Sequence, residues 1–368
     1  MTRHIGVLTS GGDCPGLNAC LRAITLRAVH TYGWQVSGLL DGTLGLLDNP
    51  PRSRSLTPAD FGGDVFRQGG TLLGTTNRND PFAWPMPDGS RRDRSPELIA
   101  GWRQLALDGL IAIGGDGSLA ILRRLAQQGG IPLVGVPKTI DNDIAVTENA
   151  IGYDTAVSVA VEALDRLQPT AASHHRIMLL EVMGRDAGHI ALYAGIAGGA
   201  DIILIPEIAW RLEPLVARLA ALRRGDAGRT TGSALVVVAE GARTPDGRQI
   251  RVREKSGKGR LGGIATWLGR RLADAIGAEV RVTTLGHLQR GGAPTPRDRF
   301  LAAAFGAGAV DSMAAGHYDC MIAWQNRQTV RVPLADAVAS GQPVDLAGTM
   351  LRTARGLGVC FGDEPGEA

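Results

Sequence analysis

The sequence has little cysteine, no long apolar run and almost no net charge. Its four cysteines, Cys14, Cys20, Cys320 and Cys360, lack paired metal-ligand spacing. They exclude a disulfide scaffold or a zinc module and read as reduced thiols, which points to a cytoplasmic location. No apolar stretch approaches the ~20 residues that span a bilayer, and an apolar run begins at His4, leaving no room for a signal peptide. No membrane partner is expected. Thirty-nine basic against 36 acidic residues give a net charge of +3, too balanced for a nucleic-acid coat. A small anionic ligand fits better.

What the chain does have is 44% hydrophobic residues, 51 glycines and 19 prolines with only 4% aromatics, the composition of a globular protein rich in tight turns. Its 368 residues suggest about two domains at roughly 150 residues each, with a cleft between them. Short apolar, β-branched runs at residues 5–8, 36–40, 110–113, 133–136, 177–182, 202–205, 235–238 and 280–284 resemble strands buried on both faces. Helical spacing recurs between them, at residues 18–29, 119–126, 154–167 and 264–275, with Val157, Val161 and Leu164 along one face of the third. Strand and helix alternate, which predicts an α/β fold with mostly parallel sheets. Residues 77–96 break the rhythm with four prolines, Trp84, Arg78, Arg91, Arg92 and Arg94, and read as a surface excursion able to fold over a ligand. The basic stretch 243–260 reads as a solvated loop.

Three turns carry the chemistry. After the first strand, Thr9-Ser10-Gly11-Gly12-Asp13-Cys14-Pro15-Gly16 leads into a helix near Leu17, an arrangement in which backbone N–H groups can cradle an anion. The run 110–113 enters Gly114-Gly115-Asp116-Gly117-Ser118, placing a carboxylate at a strand's C-terminal end, where ligands of open α/β sheets collect. Asp116 is the metal candidate, since Mg²⁺ is commonly held by one or two carboxylates plus phosphate oxygens. The third turn, Pro137-Lys138-Thr139-Ile140-Asp141-Asn142-Asp143, combines a cation, a hydroxyl and two carboxylates. Phosphoryl transfer needs such groups: a carboxylate to accept the proton of the attacking alcohol, and cations to neutralise the transferring group.

In order and spacing these turns resemble the 6-phosphofructokinase family. So do Ser173-His174-His175-Arg176, Glu181-Val182-Met183-Gly184-Arg185, Ile196-Ala197-Gly198-Gly199, Pro206-Glu207 and Gly286-His287-Leu288-Gln289-Arg290-Gly291-Gly292, so that the likeness covers roughly residues 5–326. It implies two Rossmann-like α/β domains with the active site in the cleft between them: residues 1–152 plus 290–340 for the phosphoryl donor, and 153–289 plus 341–368 for the sugar phosphate. It further implies Asp141 as general base toward the 1-hydroxyl of fructose 6-phosphate, Thr139 and Arg185 at the transferred phosphoryl group, and Asp116 at Mg²⁺. Gly11, Gly12, Arg78, Gly117, Ser118 and Lys138 would bind ATP. Asp143, Arg176, Met183, Gly184, Glu240, Arg281, His287 and Arg290 would bind the sugar phosphate, with Arg176 and Arg281 reaching a neighbouring subunit's site in a homo-oligomer, a tetramer or a dimer.

The chain departs from the family pattern in three places. Pyrophosphate-using relatives carry Asp where this chain has Gly117 and Lys where it has Lys138; glycine leaves room for an α-phosphate, so ATP is favoured while Lys138 keeps pyrophosphate open. Thr43, in Asp41-Gly42-Thr43, replaces a tyrosine that stacks on adenine in bacterial relatives, which implies looser base binding. Of the regulatory anion site only Arg22 and Glu207 persist, with Leu26 and Gln168 replacing arginines, which implies weak response to ADP and phosphoenolpyruvate. A non-catalytic sugar-phosphate sensor is the rival from another class. Retention of Asp141, Thr139, Asp116 and Arg185 argues against it.

Overall fold

The computed structural model describes residues 2–77, 80–224, 232–252 and 259–364. The chain divides into two compact units: Met1–Ile140, Ile144–Thr155 and Arg290–Gly341 form the first, and Asp141–Asp143, Ala156–Gln289 and Gln342–Ala368 the second.

The first unit holds a seven-stranded sheet in the order Gln328–Pro333, Cys320–Gln325, Leu133–Pro137, Gly109–Gly114, His4–Ser10, Gln35–Leu39, Ser53–Leu56. The five inner strands pair in parallel and the two outer ones antiparallel. Gly109–Gly114 and Leu133–Pro137 are buried along their whole length, which is why they read as unbroken apolar runs. Ser10 is level with Gly114, and Gly114 with Pro137, so the three chemistry-bearing turns leave one edge of the sheet side by side. Helices Leu17–Tyr32 and Pro296–Ala314 pack closely; a Cβ on Gly306 would lie 2.9 Å from the Cys20 carbonyl oxygen, so only glycine permits this approach.

The second unit has a four-stranded, fully parallel sheet in the order Val280–Thr284, Ile177–Val182, Ala234–Ala239, Ile202–Leu204. Val182 is level with Ala239, which starts the Met183 turn beside Glu240. Leu179, Val236, Leu219 and Leu268 are among the core residues between this sheet and its helices.

Several expectations need correction. The run 280–284 is an edge strand and half exposed, not buried on both faces. The third helix runs Tyr153–His174, beyond residue 167 and through Pro169; Pro169 and Asp165 are both exposed, so the carbonyl left without a donor faces water. Residues 77–96 are not featureless. They contain the turn Pro81–Ala83, a ribbon of Trp84–Pro85 against Arg91–Arg92, and the start of helix Ser95–Gln104. Two of its arginines are used locally: Arg94 stacks 5.1 Å from the Trp84 ring and pairs with Glu97, and Arg91 donates to the Ala83 carbonyl at 3.1 Å.

Asp298 ties the first unit together. It is fully buried and accepts from the Gly152 N–H at 3.0 Å and from the Thr155 N–H and hydroxyl at 2.8 and 2.5 Å. Asp298→Ala would orphan two buried N–H groups and is expected to cost about 2–4 kcal/mol in urea unfolding, with Asp298→Asn intermediate because one oxygen remains. An unchanged urea midpoint for the alanine variant would contradict this.

Candidate active site

In the first unit, Gly11 adopts φ +88° and its N–H is given to the Thr76 carbonyl at 2.8 Å, so this glycine shapes the turn with a committed amide. A Cβ there would meet Ser118 Oγ at 2.9 Å and Lys138 Nζ at 3.2 Å. Gly11, Ser118 and Lys138 therefore converge on one cradle. Lys138 is buried, its ammonium donating to the Gly12 carbonyl at 2.5 Å, and its backbone N–H bonds to the Gly114 carbonyl at 3.0 Å. One lysine thus links all three turns. Arg290 also comes to this cradle: it donates to the Asp13 carbonyl at 3.0 Å and lies where a Cβ on Gly12 would come within 2.7 Å.

Asp116 is the first residue of helix Asp116–Gly129, whose cap, Gly115, makes no side-chain hydrogen bond. The backbone N–H groups of this helix start, with the Ser118 hydroxyl, can face an anion, while the Asp116 carboxylate suits a cation bound with it. Gly117 is exposed, and a Cβ there would meet nothing within 4 Å. Thr139 is buried, its N–H donating to the Ile151 carbonyl at 3.2 Å. Beneath these turns the Cys14 thiol is pushed up to about 12 by burial, which keeps it protonated and unreactive. Arg78 lies outside the described residues, as does part of the basic stretch 243–260. Thr43 is buried as the cap of the turn Leu44–Leu47 and offers no ring for a base.

In the second unit, Asp141 has a side chain 3% exposed, and Arg185 Nε lies 3.7 Å from its Oδ2. Both neighbouring backbones are unusual: Asn142 and Arg185 adopt φ +53° and +52°. A left-handed arginine is costly and persists only when its surroundings hold it. Here Glu240 Oε1 accepts the Arg185 N–H at 3.2 Å, and the Arg185 carbonyl lies where a Cβ on Gly241 would approach to 1.8 Å. Gly184, at φ +144°, leaves the turn closed by the bond from Ala187 N–H to its carbonyl at 3.0 Å. The Met183 N–H donates to Gln289 Oε1 at 2.7 Å, and Gln289, fully buried, donates in turn to the Ala156 carbonyl at 3.2 Å. Asp143 is half-buried, and His287 is exposed on the turn Gly286–Arg290.

Arg176 and Arg281 both engage Glu279, the former at 2.7 Å. Glu279 and Gly241 carry no local sequence signal, and Gln289, although it lies in the block 286–292, acts through Met183 and Ala156 far along the chain. Glu207 gives Oε1 to the N–H groups of Gly188 and Val344, at 3.0 and 2.9 Å. Arg22 lies 5.3 Å from the Phe66 ring, while Leu26 is half-buried and Gln168 exposed.

Glycine turns and an uncapped helix N-terminus at the C-terminal edge of a parallel sheet define an α/β protein of the kind that handles anionic ligands. The chain belongs to the phosphofructokinase family, whose profile matches residues 4–313. It is 55% identical over 362 residues to the ATP-dependent 6-phosphofructokinase 1 of Synechocystis sp., covering 98% of this chain and 99% of that one. It is 46% identical to the ATP-dependent 6-phosphofructokinase of Chloroflexus aggregans, with 98% of each covered. Among solved structures, Pichia pastoris phosphofructokinase in the T-state superposes with a TM-score of 0.79 at 31% identity, over 92% of this chain and 36% of that longer one. The pyrophosphate-dependent phosphofructokinase of Marinobacter aquaeolei shares the fold, with a TM-score of 0.76 at 20% identity, over 100% of this chain and 94% of that one.

Burial, reinforced by the nearby Asp141 charge and opposed by the Arg185 N–H, pushes Glu240 up to about 7. A carboxyl raised in the fold contributes stability that is present below its ordinary range and lost as pH rises through about 7. Unfolding free energy should therefore fall between pH 5 and pH 8 less steeply in Glu240→Gln than in wild type. Identical slopes would contradict the assignment.

Proposed function

We propose that this protein transfers the γ-phosphoryl group of ATP to the 1-hydroxyl of fructose 6-phosphate, giving fructose 1,6-bisphosphate as a step of glycolysis. The observation that carries the reading is the buried Asp141 carboxylate with Arg185 Nε 3.7 Å away, in a chain 55% identical to an ATP-dependent 6-phosphofructokinase. Asp141 accepts the proton of the 1-hydroxyl as that oxygen attacks the γ-phosphorus. Arg185 offers a planar guanidinium to the phosphoryl oxygens, and Thr139 supplies a hydroxyl to the same group. Gly11, Gly12, Gly117, Ser118 and Lys138 hold the donor phosphates.

Among the described residues no group of three or more His, Cys, Asp or Glu could hold a metal ion by itself. That suits Mg²⁺, which is bound largely through phosphate oxygens and water, with Asp116 as its protein ligand at the uncapped helix start. When bound, Mg²⁺ neutralises charge on the donor phosphates.

On the sugar side, Met183, Gly184, Glu240 and Asp143 contact the hydroxyls and His287 and Arg290 the sugar and its 6-phosphate. Arg176 and Arg281 serve a neighbouring copy in a homotetramer or dimer, which requires them to exchange Glu279 for a phosphate. The first unit is the donor domain and the second the sugar-phosphate domain. No helix among the described residues is long and apolar enough to cross a membrane, and all four cysteines are free, which supports a cytoplasmic location.

ATP is the donor because Gly117 leaves open space. Pyrophosphate remains the second reading on account of Lys138, although its ammonium is engaged by the Gly12 carbonyl. A Cβ at Gly117 would meet no atom within 4 Å, so Gly117→Asp tests charge and bulk at the donor site. In steady-state assays with fructose 6-phosphate, wild type should use ATP well and pyrophosphate poorly, and Gly117→Asp should lose ATP turnover by about 100-fold. Unchanged ATP turnover in the variant, or preference of wild type for pyrophosphate, would contradict the donor assignment.

A further inference from the structure

The Asp141–Asp143 loop and the turn bearing Arg185 are both bonded to one short stretch of the second unit, residues 342–344. The Gln342 N–H donates to the Asp143 carbonyl at 2.8 Å. On its other side, the Gln342 carbonyl lies 2.9 Å from His189 Nε2; a carbonyl can only accept, so this nitrogen carries the proton. His189 opens helix His189–Ala197, which follows directly on the Gly184–Arg185 turn. Two residues on, the Val344 N–H donates at 2.9 Å to Glu207 Oε1, the same oxygen that takes the Gly188 N–H at 3.0 Å. Pro343 between them biases Gln342 toward extended backbone, in which one residue can present its N–H to one neighbour and its C=O to another.

The second carboxylate oxygen makes the site unusual. Glu207 Oε2 is buried and has no hydrogen-bond partner among the described residues, and it sits where a Cβ on Gly188 would come within 2.8 Å. A buried carboxylate with one idle oxygen is expensive to keep, and stability alone would be served as well by a smaller acceptor. The cost is explained if the geometry at Gly188 and Val344 matters more than the stability given up. What needs fixing is plain from the backbone: Asn142 and Arg185 are both left-handed, a conformation that persists only while its surroundings hold it.

We propose that residues 342–344 act as a strap, held by His189 and Glu207, that sets Asp141 against Arg185, so that His189 and Glu207 are positioning residues for phosphoryl transfer. Neither touches the reacting atoms. His189 acts by donating to the strap's carbonyl, Glu207 by accepting from the strap and from Gly188 together. The strap's bond to Asp143 closes the circuit from the Arg185 turn to the base loop. The inference rests on Asp141 being the general base.

The test uses the purified full-length chain with ATP and fructose 6-phosphate, comparing His189→Leu with His189→Gln and Glu207→Leu with Glu207→Gln. Glutamine retains the Nε2 donor in the first case and an Oε1 acceptor in the second. The leucine variants should lose about tenfold or more in kcat with KM for both substrates within about threefold, since misalignment of about 1 Å weakens the transition state rather than binding. The glutamine variants should stay within about threefold of wild type. Thermal unfolding of all four identifies any variant that is misfolded, and if His189→Leu is one of them the Glu207 pair decides. Leucine variants with wild-type kcat, a rise in KM at constant kcat, or glutamine variants as impaired as leucine would each overturn the strap. An inactive wild type would overturn the strap and the reaction assignment together, whereas an active wild type with indifferent leucine variants overturns the strap alone.

Discussion

Asp141 is a carboxylate withdrawn from water with a guanidinium 3.7 Å away, and much of the second unit is arranged to keep that pair in place. A buried charge is costly unless it is paired and hydrogen-bonded, and the pairing here is made by backbone that would not adopt its shape unaided. Arg185 is left-handed because Glu240 takes its N–H and because Gly241 has no side chain to push its carbonyl away. Gln289 holds the start of the same turn through Met183. A single charge pair thus accounts for a shape spread over the ends of two adjacent parallel strands, Ile177–Val182 and Ala234–Ala239.

The first unit is built differently, around backbone turns brought close together. Three turns leave level strand ends, and absent side chains create the space: Gly11 would otherwise strike Ser118 and Lys138, and Gly12 would strike Arg290. Lys138 serves a structural purpose there as well as an electrostatic one, because its ammonium bonds to the Gly12 carbonyl while its backbone joins the strand end at Gly114. The residue that leaves the donor open by sequence is also the one that fastens the cradle.

The fold was legible along most of the fully buried strands, although Cys320–Gln325, buried over its first four residues, was not. Runs such as 110–113 and 133–136 are apolar without interruption because both faces of the sheet are covered. Edge elements were not legible: Gln328–Pro333 and Ser53–Leu56 are largely exposed and carry no such run. Helix Pro296–Ala314 was not legible because Ala302, Ala303, Ala304, Gly306 and Gly308 make it small-sided rather than amphipathic; Gly306 is what lets it approach Leu17–Tyr32. At the site, the residue types clustered in the turns could be read directly. Glu279 and Gly241 could not; Glu207 and Gln289 stand in motifs, but their partners, Gly188 with Val344 and Met183 with Ala156, are ones that only folding brings near.

The central claim is that Asp141 takes the proton of the attacking hydroxyl. The most direct measurement is the steady-state rate of Asp141→Asn with ATP and fructose 6-phosphate, since asparagine keeps the shape and removes the base. A fall in kcat by about 10²–10⁴, with KM for ATP near wild type, is the predicted result. A kcat within about threefold of wild type would contradict the account.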